Sequence, residues 1–451
     1  MIPALTLHLD AIRLFLSRGP VTSRQLQEKL GLSQPTLSRA LLKLGEEVVR
    51  LGAARSIHYL LRDRGRGFGD IPIYRVGTDG QIGRLGLLIP VRPEGYVMRR
   101  DDGKTLHSEG IPWWLLDMRP QGFLGRAYAA RHAAGLGLPS GINQWNDSDA
   151  LRALLIHGHD AVGNLLLGDR ARDHFLGTPP VAPVHQSDKV TEYVRLARLA
   201  TQGDTPVSSA GGEQPKFTVC ADTPEGSRQL LVKFSLPDPN PITERWRDLL
   251  LAEHHALETL ASAGISAARS WVLDQKGQRF LEVERFDRVG RNGRRGLFSL
   301  SALDAEFIGS AQSPWPLLVE RLAAQRVVTE DSVKATQILF AFGRLIGNSD
   351  MHAGNLSFVS ERGRPYALAP AYDMLPMAFA PRSGGGLSNL LPALELHPGV
   401  AQEVWPTMLA LARDYVSRLR GDGRFSGHFR PCLDALDSHL DDSARRIERL
   451  G

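Results

Sequence analysis

The stretch from Leu345 to Phe358 reads L-I-G-N-S-D-M-H-A-G-N-L-S-F. It holds Asp350 and, five residues on, Asn355; a second acid, Asp373, follows Asn355 by 18 residues in Ala371-Tyr372-Asp373. Phosphoryl transfer asks for these groups at this spacing. One carboxylate orients a hydroxyl and accepts its proton. An amide oxygen and a second carboxylate hold the Mg²⁺ that bridges the phosphates. Any one of the three can be a turn or cap residue. Their order, together with the parts upstream, is what narrows the folds open to this chain.

Those parts come in a fixed sequence. Ser208 to Lys216 is rich in small residues, with Gly212 and Gln214 in it, and leads into a strand from Phe217 to Cys220. Small residues there let backbone N–H groups approach phosphate oxygens. The strand Gln229–Phe234 carries Lys233 among apolar neighbours, where an unpaired ammonium is costly. A helix is expected from Glu244 to Ala263, with Leu250, Leu251 and Leu257 on its apolar face. Glu253 near its middle is either the lysine's partner or an ordinary surface ion pair. Phe280 to Arg288 reads as a strand running into a connector, where a two-lobed kinase hinges and meets adenine. Asp287 there reaches either a ribose or a neighbouring arginine. His352 either touches phosphate or braces its loop.

The amino terminus follows a different pattern. Residues 1–66 hold 11 Lys/Arg and 5 Asp/Glu, while the rest of the chain is close to neutral. Such asymmetry points to a nucleic-acid-binding end. Leu9, Ile12, Phe15 and Leu16 share one helical face. Thr22 with Gln25 has capping-box spacing ahead of a second helix. Ser33 can cap a third, with Pro35 in its first turn and Leu37, Ala40, Leu41 and Leu44 as its buried stripe. Short strands at Val48–Leu51 and Ser56–Leu61 complete a winged helix-turn-helix pattern. Gln34, Ser38, Arg39 and Lys43 would face the major groove. Arg50, Arg55 and Arg62 would hold phosphates from the wing. A helical interaction domain with a solvated basic face is the plainer alternative. Asp63 to Gly69 reads as a linker.

From Ile71 the period shortens to that of strands, with a hairpin around Thr78-Asp79-Gly80. Helices are expected within Trp113–Leu136 and Ala150–Ile156. His157-Gly-His159-Asp160 looks more like loop or packing than a metal site. Two cysteines, Cys220 and Cys432, exclude a disulfide scaffold and fit a reduced compartment. No apolar run is long enough to span a bilayer and no signal peptide opens the chain, so the expected location is cytoplasmic.

With these motifs in hand, the chain resembles the HipA family of serine/threonine kinases, the toxin components of bacterial toxin–antitoxin modules. The likeness runs from about Ile71 to the end. The family's phosphate-loop pattern S-L-x-G-x-Q-P-K is met from Ser209 to Lys216, with Ala210 where leucine is usual. I-G-N-x-D-x-H-x-x-N is met from Ile346 to Asn355, E-R-F-D-R from Glu284 to Arg288, and Y-D by Tyr372-Asp373. The resemblance implies that Asp350 is the catalytic base, that Asn355 and Asp373 hold Mg²⁺, and that Lys233 binds the ATP phosphates. It implies that Glu284 and Phe286 meet adenine through their backbone and that Ser209 is an autophosphorylation site. Phosphate on Ser209 would pull its loop out of the pocket and inactivate the enzyme. The typical member relies on a separate helix-turn-helix antitoxin; here a winged helix is fused in front, as in the YjjJ-type variant.

The expected fold class is therefore α+β. A two-lobed, protein-kinase-like (HipA-like) fold with an amino-terminal β-rich subdomain is preceded by a winged helix-turn-helix. The expected segments are 1–66 for DNA binding, 67–185 for a HipA amino-terminal-type subdomain, 186–290 for the kinase N-lobe, and 291–451 for the helical C-lobe. The expected activity is ATP- and Mg²⁺-dependent phosphorylation of a cellular protein and of the chain itself. Its own promoter DNA is an expected partner; an antitoxin and a homodimer are left open, and no membrane is involved. The competing classes are a nucleotide-sensing transcription regulator and a small-molecule phosphotransferase. The latter favours H-G-D where this chain has Asn348-Ser349-Asp350.

Overall fold

The structure, a computed structural model, describes residues 4–52, 57–179, 182–201, 214–275, 277–310, 312–361, 363–382 and 384–450. It mixes helix and sheet and divides into two compact units, 1–119 with 145–178, and 120–144 with 179–451.

The first unit opens with helices α1 (Ala4–Leu16), α2 (Ser23–Leu30) and α3 (Gln34–Leu44). Leu9, Ile12, Leu16, Leu26, Leu37, Ala40, Leu41 and Leu44 form one buried cluster, the stripe that the 3.6-residue period demands. Thr22 caps α2 with the reciprocal Gln25 bonds of a capping box, an arrangement worth about 1 kcal/mol. Ser33 starts α3 without a side-chain cap bond; its hydroxyl instead lies 2.9 Å from the Thr36 hydroxyl. Strands β1 (Val21–Thr22), β2 (Val48–Leu51) and β3 (His58–Leu61) make a small sheet in the order β1-β3-β2.

A five-stranded antiparallel sheet follows, from β4 (Ile71–Val76), β5 (Ile82–Val91), β6 (Gly95–Arg100), β7 (Thr105–Ser108) and β8 (Leu165–Leu167), in the order β7-β6-β5-β4-β8. Its register shifts between Ile73 and Tyr74, opposite Gly86. Gly86 has φ +150°, and a Cβ there would lie 2.2 Å from the Arg99 carbonyl, so only glycine lets β6 come this close. The two sheets share a core: Val49 and Leu60 pack with Ile89, Val91 and Val97.

Two readings of the sequence change at this junction. Asp63 to Gly69 is not a loose linker. Arg66 donates to Asp63 at 2.9 Å and to the Val91 carbonyl at 2.6 Å, with its guanidinium 4.7 Å from the Tyr96 ring centroid. Burial opposes the charge on Asp63, but Arg66 and the Gly65 N–H outweigh it and hold the carboxyl below its usual range. Arg62 is not a wing phosphate ligand. It pairs with Asp70 and donates to the Glu46 carbonyl, because it follows directly on the last residue of β3, where β3 joins the larger sheet.

Helices α5 (Asp147–His157) and α6 (Gly168–Gly177) belong to the first unit; the second begins with α4 (Gly122–Leu136), which packs on α7 (Lys189–Thr201) and β9 (Lys216–Thr223). Strands β9, β10 (Gly226–Phe234), β11 (Ser270–Gln275) and β12 (Gln278–Glu284) form an antiparallel sheet in the order β11-β12-β10-β9. On one face Leu230, Val232, Phe234 and Phe280 pack with Tyr193 and Ala197 of α7. There a buried Glu282 accepts from Lys189 Nζ and from the Tyr193 hydroxyl, each at 2.6 Å.

The other face meets α8 (Pro241–Ser262). It starts three residues earlier than the sequence reading because Asn240 caps it and Pro241 occupies its first position. The rest of the unit is mostly helical, with a small three-stranded sheet of Gly296–Ser299, Ser357–Ser360 and Ala367–Leu368, and the loop after Val404–Gly421 clasps α8. Asp422 lies 2.8 Å from His255, Ser426 donates to Asp248 at 2.6 Å, and the Tyr415 hydroxyl donates to the Ala252 carbonyl at 3.3 Å. Among the described residues no helix is long and apolar enough to cross a membrane.

His254 on α8 shows what this packing costs. Burial, reinforced by His255 and Arg424, lowers it from 6.5 to about 4. The unfolded chain therefore binds the extra proton first, and stability falls as pH drops through that window. His254→Gln is expected to flatten the loss, read as urea midpoints between pH 6.5 and pH 4. An unchanged slope would remove His254 as its source.

Candidate active site

Strand alternation decides where Lys233 points. Leu230, Val232 and Phe234 face α7, so Leu231 and Lys233 face α8. There Lys233 Nζ lies 2.7 and 2.8 Å from the two Glu253 carboxylate oxygens and also contacts Asp373 Oδ1. The Lys233 and Glu253 side chains are 6% and 1% exposed, so Glu253 is not a surface ion-pair partner. Burial works against the ammonium, yet Asp373 and Glu253 outweigh it and keep Lys233 charged. Burial pushes Glu253 up, partly offset by Lys233. Burial also opposes ionisation of Asp373, but Lys233 and then Lys216 hold it below its usual value. Lys216 had no role in the sequence reading; its neighbourhood to Asp373 comes from β9 pairing with β10, where it lies opposite Lys233.

The loop carrying Asp350 is set by a helix end. Helix Asp331–Leu345 stops, Gly347 turns at φ +77°, and the Asn348 N–H returns to the Gly343 carbonyl at 2.8 Å. Asn348 is 3% exposed. Its Oδ1 accepts the Asp350 N–H at 3.0 Å, and its amide nitrogen donates to the Asp373 carbonyl at 3.3 Å. One buried amide thus ties the two acid-bearing segments, a role the motif alone did not reveal. Asp373 itself has φ +51°, a region that non-glycine residues rarely occupy. Tyr372 braces it from behind, 2.7 Å from the Ser357 hydroxyl and donating to the Gly354 carbonyl at 3.0 Å.

Asn355 donates its amide nitrogen to the Asp350 carbonyl at 2.8 Å, which leaves its oxygen as the group for a cation. His352 accepts the Gly354 N–H at Nδ1, its carbonyl accepts from the Trp315 indole, and its Nε2 lies 3.8 Å from Asp350. Loop bracing and a contact with Asp350 are both present. At the hinge, Glu284 donates its N–H to the Arg269 carbonyl at 2.9 Å, and Phe286 packs by Tyr372. Asp287 is buried and paired with Arg285 and Arg288 at 3.1 and 2.7 Å; of the two options for it, the arginines are what it reaches. Gln214 donates to the Phe234 carbonyl at 2.6 Å, fixing the chain as it enters β9. Ser209, Gly212 and Arg55 lie outside the described residues.

The donor set fits Mg²⁺ held partly by a nucleotide. Asp373 is an ionised carboxylate and Asn355 offers an amide oxygen, both hard ligands. Among the described residues no group of three or more His, Cys, Asp and Glu forms a metal cage. Mg²⁺ in phosphoryl-transfer sites takes one or two protein oxygens and completes its shell with phosphates and water.

On α3 the residues Gln34, Ser38, Arg39 and Lys43 are all exposed, off the buried leucine stripe. Gln34 is held by Gln27, which donates to it at 2.6 Å. Arg50 is exposed on β2, its guanidinium 5.7 Å from the Tyr59 ring centroid.

Fold and site together define a HipA-like chain. Residues 208–417 match the family described as HipA-like C-terminal domain. A chain of the Shewanella oneidensis MR-1 toxin–antitoxin complex of HipA, HipB and operator DNA superposes with a TM-score of 0.55. It is 15% identical, over 84% of this chain and 97% of that one. The Helicobacter pylori proinflammatory kinase CtkA aligns over 53% of this chain and 94% of its own, at 13% identity and a TM-score of 0.39. Residues 68–176 match the family described as YjjJ-like toxin, middle domain. Toxin YjjJ of Escherichia coli (strain K12) is 39% identical over 97% of this chain and 98% of its own length. The chain belongs to the YjjJ-like toxin family.

Proposed function

We propose that this chain is an ATP- and Mg²⁺-dependent serine/threonine protein kinase of the HipA toxin type, joined to a winged helix-turn-helix that binds its own promoter. The observation that carries the reading is Lys233, buried between Glu253 and Asp373, with Asn348 tying Asp373 to the Asp350 loop. Lys233 neutralises the phosphates and Glu253 keeps it pointed at them. Asp350, exposed at its loop, accepts the proton of a protein hydroxyl as that oxygen attacks the terminal phosphorus. Asn355 and Asp373 would hold Mg²⁺, which neutralises charge on the phosphate oxygens when bound. Adenine meets the backbone between Glu284 and Phe286, and His352 braces the loop. The phosphate loop around Gly212 and Gln214 covers the nucleotide, and Ser209 in it is the autophosphorylation site.

A regulator that only senses nucleotide has no use for a base placed at a solvent-facing loop, so the kinase reading is favoured. The test is incubation of the purified chain with radiolabelled ATP and Mg²⁺. Label is expected on the chain and on a protein of a cell lysate; transfer to neither sinks the reading.

For residues 1–66, Gln34, Ser38, Arg39 and Lys43 enter the major groove, and Arg50 and Arg55 grip phosphates. With Arg50 and Arg55 on phosphates, affinity for a promoter duplex should fall about tenfold when salt rises fourfold. Fluorescence anisotropy reads this directly, and salt-independent or absent binding refutes it.

A further inference from the structure

We infer that Arg245 is a positioning residue for Asp373. From α8 it holds the segment that follows this acid, and so fixes where the carboxylate stands relative to Lys233 and Glu253. This role rests on the kinase reading above and adds to it the group that keeps the two acidic partners of Lys233 in register.

Arg245 lies on α8 about two turns before Glu253. It is 4% exposed. Its Nη1 donates to the Phe379 carbonyl at 3.0 Å and to the Ser388 carbonyl at 3.1 Å, and its Nη2 donates to Asn389 Oδ1 at 2.9 Å. The Cys432 thiol donates to the same Asn389 oxygen at 3.2 Å. The guanidinium lies 5.7 Å from the centroid of the buried Phe429 ring. All three acceptors follow Asp373 in the chain, Phe379 by six residues. The stretch from Asp373 to Phe379 is also tied to the Asp350 loop. Asn348 donates to the Asp373 carbonyl at 3.3 Å, and the Ala378 N–H donates to the Gly347 carbonyl at 3.1 Å. Residues 373–379 therefore run between two supports, the Asp350 loop and α8, and Arg245 supplies the α8 end.

The plainer alternative is a structural brace, and charge separates the two. Among the described residues no carboxylate pairs with Arg245; its charge meets amide oxygens and a ring face. A buried cation without a counter-ion costs stability, and a packed apolar side chain of like volume fills such a place at less cost. What the guanidinium adds is a rigid fork of donors that grips separate points of one segment. Those points lie behind Asp373, whose φ of +51° is seldom adopted by a non-glycine residue unless its surroundings hold it. Lys233 contacts Asp373 as well, but nucleotide phosphates compete for that same ammonium. A hold made through the backbone does not give way when they do.

The experiment measures binding of a fluorescent ATP analogue by the full chain, with Mg²⁺ titrated in and with Mg²⁺ removed by a chelator, beside a urea melt. Arg245→Met is expected to leave Mg²⁺-free binding unchanged. The Mg²⁺ concentration that gives half of the tightening should rise about tenfold, the lower end of what groups behind a metal ligand are worth. Arg245→Lys keeps the charge without the fork and should stay shifted. Asn389→Ala removes one point of the grip without emptying the core, and should move the Mg²⁺ midpoint the same way by less, so the role stays testable if Arg245→Met does not fold. A lower urea midpoint with the Mg²⁺ titration unmoved makes Arg245 a brace alone and overturns the positioning role, leaving the kinase reading in place. Equal weakening with and without Mg²⁺ overturns it too, because the whole pocket has then moved. Full recovery in Arg245→Lys shows that charge suffices and refutes the geometric role. No nucleotide binding by the unaltered chain removes the kinase reading and this role with it.

Discussion

Asp350→Asn is expected to lower phosphate transfer to the chain and to lysate protein by about 10²–10⁴-fold, the usual worth of a positioned general base. The substitution keeps size and shape but replaces one acceptor oxygen by a donor and removes the charge, so the side chain can no longer accept the hydroxyl proton. Asp350 is 51% exposed, and what holds its place is its backbone N–H on Asn348, which the substitution leaves alone. Stability should therefore stay within about 0.5 kcal/mol. Measuring labelling beside a urea melt separates the two effects. Unchanged labelling in a folded variant shows that another group takes the proton. Lost labelling together with lost stability shows that Asp350 is holding the loop.

Lys233→Ala should act on the fold as well as on activity. Its partner Glu253 is 1% exposed and cannot be rehydrated where it stands. Removing one member of a buried ion pair costs about 3–5 kcal/mol, because the other charge remains unpaired. The pH dependence has a definite sign. Burial raises Glu253 in the folded chain above its unfolded value, and without Lys233 only the weaker attraction of Lys216 offsets that rise. A group with a raised folded pKa favours folding below its unfolded value and loses that contribution as pH rises through the folded one. The deficit of Lys233→Ala should be greatest near neutrality and shrink as pH falls toward 4.5, the unperturbed value. The double variant Lys233→Met with Glu253→Leu should recover most of the loss while staying inactive. A Lys233→Ala chain as stable as the parent at neutral pH would mean that water reaches Glu253.

What could be read without coordinates was local. The cap at Thr22 and the leucine stripes of α1 to α3 follow from residues a few positions apart. The spacing of Asp350, Asn355 and Asp373 could also be read, because a reaction constrains it. The helix from Gly122 to Leu136 shows the opposite case: it packs against α7 and β9. No local signal in its sequence names the partner it packs on. Asn348 stood in a quoted motif, yet its bridging of two loops required knowing that the Asp373 carbonyl lies 3.3 Å away.

The sequence by itself determined the order of the chemical parts, the periodicity of the helices and the excess of charge in residues 1–66. Only the tertiary structure decided which charges are free to act. Arg62 and Arg66, counted among the basic excess, are consumed by Asp70 and Asp63. Arg99, in the near-neutral remainder, stands exposed. A sum over residues carries no distances, whereas Coulomb attraction and burial depend on them at every step, so pairing across strands settles what composition leaves open.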